Sequence, residues 1–109
     1  MTTSVHLSEH IDRSPTDVYA YASDAENLRY WAAGVSPEMH IRFAAQNSFG
    51  VLDHWATIDG QVFYNPMRVV EHDGGSEVVF TLRGNPDIDP DDEAAIRADL
   101  ASLKRILEG

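Results

Sequence analysis

From residue 38 to residue 83 the chain alternates apolar and polar side chains with a period of two, and the alternation breaks only at Asn47-Ser48, Asp59-Gly60 and Asp73-Gly74-Gly75. Successive residues of a strand point to opposite faces, so the pattern predicts four strands joined by hairpins, each with one buried face. Tight turns then set the register, and a slip of one residue would exchange the two faces. Asp59-Gly60 places Ala56 opposite Phe63, His54 opposite Asn65 and Leu52 opposite Met67. The glycine turn places Val69 opposite Val78 and Met67 opposite Phe80. Read the same way, Asn47-Ser48 places Phe43 opposite Leu52 and Ile41 opposite His54, with Arg42 facing Asp53 on the other side.

All three turns collect one set of residues on one face: Met39, Ile41, Phe43, Leu52, His54, Ala56, Phe63, Asn65, Met67, Val69, Val78, Phe80 and Leu82. Only His54 and Asn65 are polar there, so this is the predicted inner face. The outer face carries His40, Arg42, Asp53, Trp55, Tyr64, Arg68, Glu77 and Arg83. Its row His40, Trp55, Tyr64 and Arg83 is a candidate homodimer patch.

Upstream, Ser4 to Ile11 alternates as a strand. Ser14-Pro15-Thr16-Asp17 then supplies a helix cap, a proline at the first helical position and an acidic third residue, and Asp24-Ala25-Glu26-Asn27 opens a second short helix. Gly34 and Pro37 are expected to end that pair. Downstream, Asp89-Pro90-Asp91-Asp92 opens a last helix whose Ile96, Leu100, Leu103 and Leu107 form one stripe. The expected fold is α+β: a curved antiparallel sheet of about five strands wrapped around a long C-terminal helix, with two short helices after the first strand, in one domain over residues 1–109.

Composition narrows the function. Eighteen acidic residues against eight basic ones give a formal charge of -10, which repels nucleic-acid phosphates and anionic headgroups. Part of that excess, Asp87, Asp89, Asp91, Asp92 and Glu93, reads as a solvated helix start; a calcium loop is the sharper alternative, but the central glycine and distal glutamate are missing. With no cysteine there is no disulfide framework or thiolate chemistry, and no stretch approaches the ~20 apolar residues of a membrane span. The start of the sequence has no signal-peptide pattern, and the expected compartment is the cytoplasm. No cofactor is implied: the sequence has no phosphate loop, dinucleotide fingerprint or nucleophile elbow. His6 and His10 share a strand face about 13 Å apart at ~3.3 Å per residue, too far to hold one ion, so no metal site is expected from them.

The segment Ile11-Asp12-Arg13-Ser14-Pro15-Thr16-Asp17-Val18-Tyr19-Ala20-Tyr21-Ala22-Ser23-Asp24-Ala25-Glu26-Asn27-Leu28-Arg29-Tyr30-Trp31 resembles the strand-to-helix opening of START-like helix-grip proteins, the polyketide cyclase/dehydrase and lipid-transport superfamily. Phe49-Gly50-Val51-Leu52-Asp53-His54-Trp55 and the closing Asp99-Leu100 to Leu103-Lys104 helix resemble short bacterial members of that group. The resemblance spans nearly the whole chain and implies a ligand cavity between sheet and terminal helix. Because members usually have six or seven strands and five are counted here, the implied cavity is small.

His54 and Asn65 are the candidate polar centre of that cavity, since unpaired polar groups among apolar side chains cost ~1–3 kcal/mol. Asp99, at the edge of the last helix's stripe, is placed to reach the imidazole, which would make His54, Asn65 and Asp99 a catalytic set; a purely structural hydrogen-bond network is the alternative. Tyr30 and Trp31 fit the cavity mouth, as aromatics with polar tips. Ile41, Phe43, Phe63, Met67, Phe80, Leu100 and Leu103 are the remaining candidate ligand contacts. Three functions compete: binding of a small apolar or aromatic molecule, a cyclase or aromatase-type enzyme using His54 as its acid-base group, and a protein-interaction module with a filled core.

Overall fold

Asp59 and Gly60 both adopt positive φ, 51° and 76°, as do Asp73 and Gly74 at 47° and 74°, in a computed structural model that describes residues 2–33 and 38–109. Two successive left-handed residues make the tight hairpin turn whose twist matches that of the flanking strands. The elements run β1 (Thr3–Ile11), α1 (Pro15–Ala22), a 3₁₀ turn (Ala25–Asn27), α2 (Leu28–Trp31), β2 (His40–Phe43), β3 (His54–Ile58), β4 (Gln61–Asn65), β5 (Met67–His72), β6 (Gly75–Gly84) and α3 (Pro90–Glu108). Gly34 and Pro37 lie outside the described residues.

Across the first turn His54 pairs with Asn65 and Ala56 with Phe63; across the second Met67 pairs with Phe80 and Val69 with Val78. These are the partners the sequence predicts. The strand count differs. Six strands form two three-stranded antiparallel sheets, ordered β1-β6-β5 and β2-β3-β4. Pro66 is the cause: it has no N–H to donate, so it divides one expected strand into β4 and β5. Its carbonyl still accepts from the Thr81 N–H at 2.9 Å, and beyond it the Leu52 N–H donates to the Met67 carbonyl at 2.8 Å. The two sheets therefore continue into each other as one bent wall, and Leu52 faces Met67 as expected.

The β2–β3 pairing needs a second correction. Ile41 pairs with Ala56, Phe43 with His54 and Arg42 with Trp55, two residues away from the predicted register. Asn47 does not sit in a two-residue turn. Its side-chain carbonyl accepts from the Phe49 and Val51 N–H groups (2.9 and 3.1 Å), its amide donates to the Ala45 and Val51 carbonyls (3.1 and 2.9 Å), and its own N–H donates to the Tyr19 hydroxyl (2.9 Å). Those bonds hold residues 44–53 as a wide loop. Gly50 seals the loop against β5: φ is 72°, and a Cβ there would stand 2.3 Å from the Val69 carbonyl oxygen. A slip of two preserves every facing, which is why the inner face survives the wrong turn.

The helices begin where the caps predict. Ser14 accepts from the Asp17 N–H at 3.2 Å and Asp89 from the Asp91 N–H at 2.8 Å, each followed by a proline at the first helical position. Asp91, Asp92 and Glu93 then occupy the first turn of α3, where carboxylates favour the positive helix end. Leu100, Leu103 and Leu107 are buried in one core with Leu7, Ile11, Val18, Trp31, Leu52, Met67 and Phe80. α3 lies closest to β1, then to α2 and β6. Its C-terminal end is clamped to the end of β1: Lys104 Nζ donates to the His10 carbonyl, Arg13 to the Leu107 carbonyl, and the Asp12 N–H to Glu108.

Candidate functional site

Because α3 packs on the first sheet, its N-terminal half stands off from the second, and a cavity of about 320 Å³ lies between them. Ile41 and Phe43 of β2, Ala56 and Ile58 of β3, Leu82 of β6, Leu28 and Trp31 of α2 and Ile96 of α3 give it apolar walls. His54, Asn65, Asp92 and Asp99 are the polar side chains that line it, and Arg83, whose guanidinium lies over Tyr64, borders it. Exposed Phe63, Asp92 and Ala95 mark the side on which it meets solvent.

The structure brings Trp31, Ile41, Phe43, His54, Phe63, Asn65 and Asp99 to this one cavity. It places Met67, Phe80, Leu100 and Leu103 in the hydrophobic core and outside the cavity lining. The terminal stripe spends its leucines on Leu7 and Ile11, and only the preceding turns face the hollow. Tyr30 is 63% exposed and is absent from the cavity wall. Among the lining groups not named as candidate contacts from the sequence are Leu28, Ile58, Leu82 and Ile96. The signals were present for two of them, since Ile58 keeps the parity of His54 and Ala56, and Leu28 precedes Trp31 by one helical turn.

His54 is buried, with 8% of its surface accessible. Its Nδ1 lies 3.1 Å from the Leu52 carbonyl, so Nδ1 carries the proton and Nε2 is left as the acceptor. The rings of Phe43 and Phe80 flank it at 5.4 and 5.6 Å between centroids. Burial lowers its pKa below the ordinary value of 6.5, outweighing the Leu52 carbonyl and the Asp53 charge, so the imidazole is neutral at physiological pH. Asn65 pairs with it in register, but among the described residues no side-chain hydrogen bond joins His54, Asn65 and Asp99. The expected triad is gathered around one cavity without being linked.

Asp99 is the other perturbed group. Burial raises its pKa to about 6, against a hydrogen bond from the Ala33 backbone that pulls it down. The folded state thus binds a proton more tightly than the unfolded chain, so Asp99 costs no stability at pH 3 and exacts its full penalty above pH 6. Half-burial keeps that penalty small. Asp99→Asn retains an acceptor for Ala33, and we expect it to raise the melting temperature at pH 7.5 while leaving it unchanged at pH 3; an equal change at both would exclude a titrating Asp99.

Trp31 is 95% shielded, and its indole N–H is the one fully buried side-chain donor without a partner among the described residues. On the opposite side of the second sheet, Asp53 accepts from the Tyr64 hydroxyl at 2.5 Å and from the Met67 N–H at 2.9 Å instead of facing Arg42. Arg42 lies over Trp55 at 4.5 Å, Trp55 stacks on Tyr64 at 5.4 Å, and Arg83 lies over Tyr64 at 5.6 Å. Of the row read as a dimer patch, Trp55, Tyr64 and Arg83 stand in a ladder that Arg42 caps at its other end.

A bent antiparallel wall closed by a terminal helix over an apolar hollow defines the helix-grip class of α+β proteins. Solved structures share that architecture with this chain over nearly its full length. The AHSA1-like protein from Rhizobium etli matches with a TM-score of 0.68 at 18% identity, covering 100% of this chain and 84% of its own. The AHSA1-like protein from Aeromonas hydrophila matches at 0.63 and 16% identity, over 97% and 92%. Ara h 8.0201 matches at 0.53 and 12% identity, over 98% of both chains. The fold is the helix grip. No protein-family model matches the sequence, and no curated protein matches it. Likeness at these identities is a likeness of fold alone.

Proposed function

We propose that the chain binds a small apolar or aromatic molecule in the cavity between the second sheet and α3. The observation that carries the reading is the cavity itself, about 320 Å³ with apolar walls and few polar groups. A ligand site needs apolar area for affinity and a small number of placed polar groups for orientation. Here the placed group is the Nε2 acceptor of His54, whose ring is held by the bond from Nδ1 to the Leu52 carbonyl. A planar ligand with a donor on its edge fits that acceptor. The enzymatic reading has less support, since burial lowers the basicity of His54 more than the Asp53 charge raises it, and no carboxylate hydrogen-bonds its ring among the described residues. The filled-core reading is opposed by the cavity volume. The cytoplasm is the proposed setting, on the absence of cysteine.

The test is fluorescence titration with anilinonaphthalene sulfonate and a panel of aromatic acids and fatty acids, on the wild type and on Ala56→Trp. Ala56 is a buried wall residue, and an indole in its place fills the hollow. Binding by the wild type and its loss in a variant that still melts cooperatively are expected. Ile96→Trp fills the same space from the helix side and serves if Ala56→Trp does not fold. No binding by the wild type across the panel would remove the proposal.

A further inference from the structure

The strand order β1-β6-β5 brings together two histidines far apart in sequence. His10 of β1 pairs with Glu77 of β6, and His72, the last residue of β5, pairs with Gly75 of β6. Both point away from the core, on the face opposite Ile11 and Val69. Gly75 stands between them, and its missing side chain opens the passage: a Cβ there would lie 3.3 Å from His10 Nε2 and 2.6 Å from the Ile11 carbonyl oxygen. The rings meet edge to face, with centroids 5.4 Å apart and planes at 68°, and the two Nδ1 atoms are 3.3 Å from each other.

That separation has a chemical meaning. Two imidazole nitrogens bound to one tetrahedral zinc at ~2.0–2.1 Å stand roughly 3.3–3.4 Å apart. Without metal, the same distance holds a single N–H···N hydrogen bond, one ring donating and the other accepting. Beyond His72, the Asp73 carboxylate lies 3.7 Å from Nε2, and its charge favours the proton on that nitrogen, leaving Nδ1 as a lone pair turned toward His10. Glu77 shares the outer face beside His10, and the Glu108 carboxylate feels the His10 charge from α3. Lys104 of α3 offsets Glu108, which it holds at 2.7 Å while also donating to the His10 carbonyl, so Asp73 and Glu77 are the carboxylates left beside the pair.

We infer that His10 and His72 form a two-histidine chelate for a first-row divalent cation of the zinc class, with water completing the tetrahedron. Among the described residues no cluster of three or more histidine, cysteine or carboxylate side chains is gathered to hold a metal, so the protein contributes two ligands. Nitrogen donors suit zinc, nickel and copper and disfavour magnesium and calcium. Uptake requires the proton shared between the two Nδ1 atoms to leave, to Nε2 or to solvent, so binding weakens as the imidazoles protonate. The site is on the opposite face from the cavity and is independent of the proposed ligand.

Isothermal titration of zinc chloride into the protein at pH 7.5 tests this, with His10→Ala, His72→Ala, the double variant and His40→Ala as a control. His40 is exposed on β2, in the other sheet, and its variant should bind as the wild type does. Each single variant should weaken binding by more than ~10-fold, and the double variant no further, because losing either ligand breaks the chelate. The histidine side-chain ¹⁵N spectrum of the unmodified protein gives a second readout that needs no variant: the Nδ1 resonances of His10 and His72 should shift on zinc addition and those of His40 and His54 should not. Absence of zinc binding, affinity unchanged in either variant, or Nδ1 resonances that stay in place would each overturn the inference.

Discussion

Leu100→Ala is expected to lower the unfolding free energy by ~2–5 kcal/mol in urea titration, a large part of what a domain of this size has to lose. Leu100 is 2% exposed and sits in the middle of the α3 stripe, between Ile96 and Leu103. Its side chain belongs to the core that joins β1, α2, β5 and β6, so truncation removes apolar contact with several elements at once and leaves a void that clamped neighbours cannot close. The clamps are the bonds from Lys104 to the His10 carbonyl and from Arg13 to the Leu107 carbonyl, which hold α3 at its far end. Ile106→Ala on the exposed side of the same helix is the control and should stay within ~0.5 kcal/mol. Equal losses at both positions would show that burial of Leu100 in this core does not set the cost, since alanine favours the helix at either site. Leu100 is no part of the cavity wall, so a loss of ligand binding without a loss of stability would contradict its placement in the core.

What could be read from the sequence depended on whether the deciding interaction was local. The Asp59-Gly60 and Asp73-Gly74 turns are local, because two left-handed residues in succession need little besides Asp, Asn or Gly, and from them followed the pairing of His54 with Asn65 and of Met67 with Phe80. The caps at Ser14 and Asp89 are local in the same sense. The β2–β3 loop was not. Its form depends on Tyr19 of α1, whose hydroxyl takes the Asn47 N–H from 28 residues away, and on the contact between Gly50 and the Val69 carbonyl. Pairwise turn rules have no access to either.

The site followed the same division. Alternation placed His54, Ile41, Phe43 and Phe63 on the inner face, and they line the cavity. Alternation gave no information on where along the sheet the helix rests. α3 lies against β1, a strand whose pairing with β6 spans the length of the chain, and that placement decides which inner-face residues are packed and which face open space. Met67 and Phe80 fell on the packed side and Asn65 on the open one. Asp99 illustrates the limit: its position on the edge of the stripe was legible, and its hydrogen bond to the Ala33 backbone instead of to His54 was not.

His54 offers the sharpest test of function, because its two nitrogens have different tasks. Nδ1 donates to the Leu52 carbonyl, a structural bond within the sheet wall, while Nε2 is the acceptor left for a ligand. Two substitutions separate them. In His54→Asn the side-chain amide stands near the place of Nδ1 and keeps the donor for Leu52, whereas in His54→Gln the longer side chain carries its amide toward the place of Nε2. We expect His54→Asn to retain most of the stability and to weaken ligand binding, and His54→Gln to lose ~1–3 kcal/mol, the cost of a buried carbonyl without its donor, while binding better than the asparagine variant. Acid adds an independent readout. With its folded pKa below the ordinary 6.5, His54 is stabilising only while neutral: the unfolded chain takes up the proton first as pH falls from about 6.5, so stability declines through the folded pKa. Both variants should flatten that decline in melting temperature between pH 7 and pH 4. Binding that is unchanged in both variants would remove His54 from the ligand site, and stability that is unchanged in His54→Gln would remove Leu52 as its structural partner.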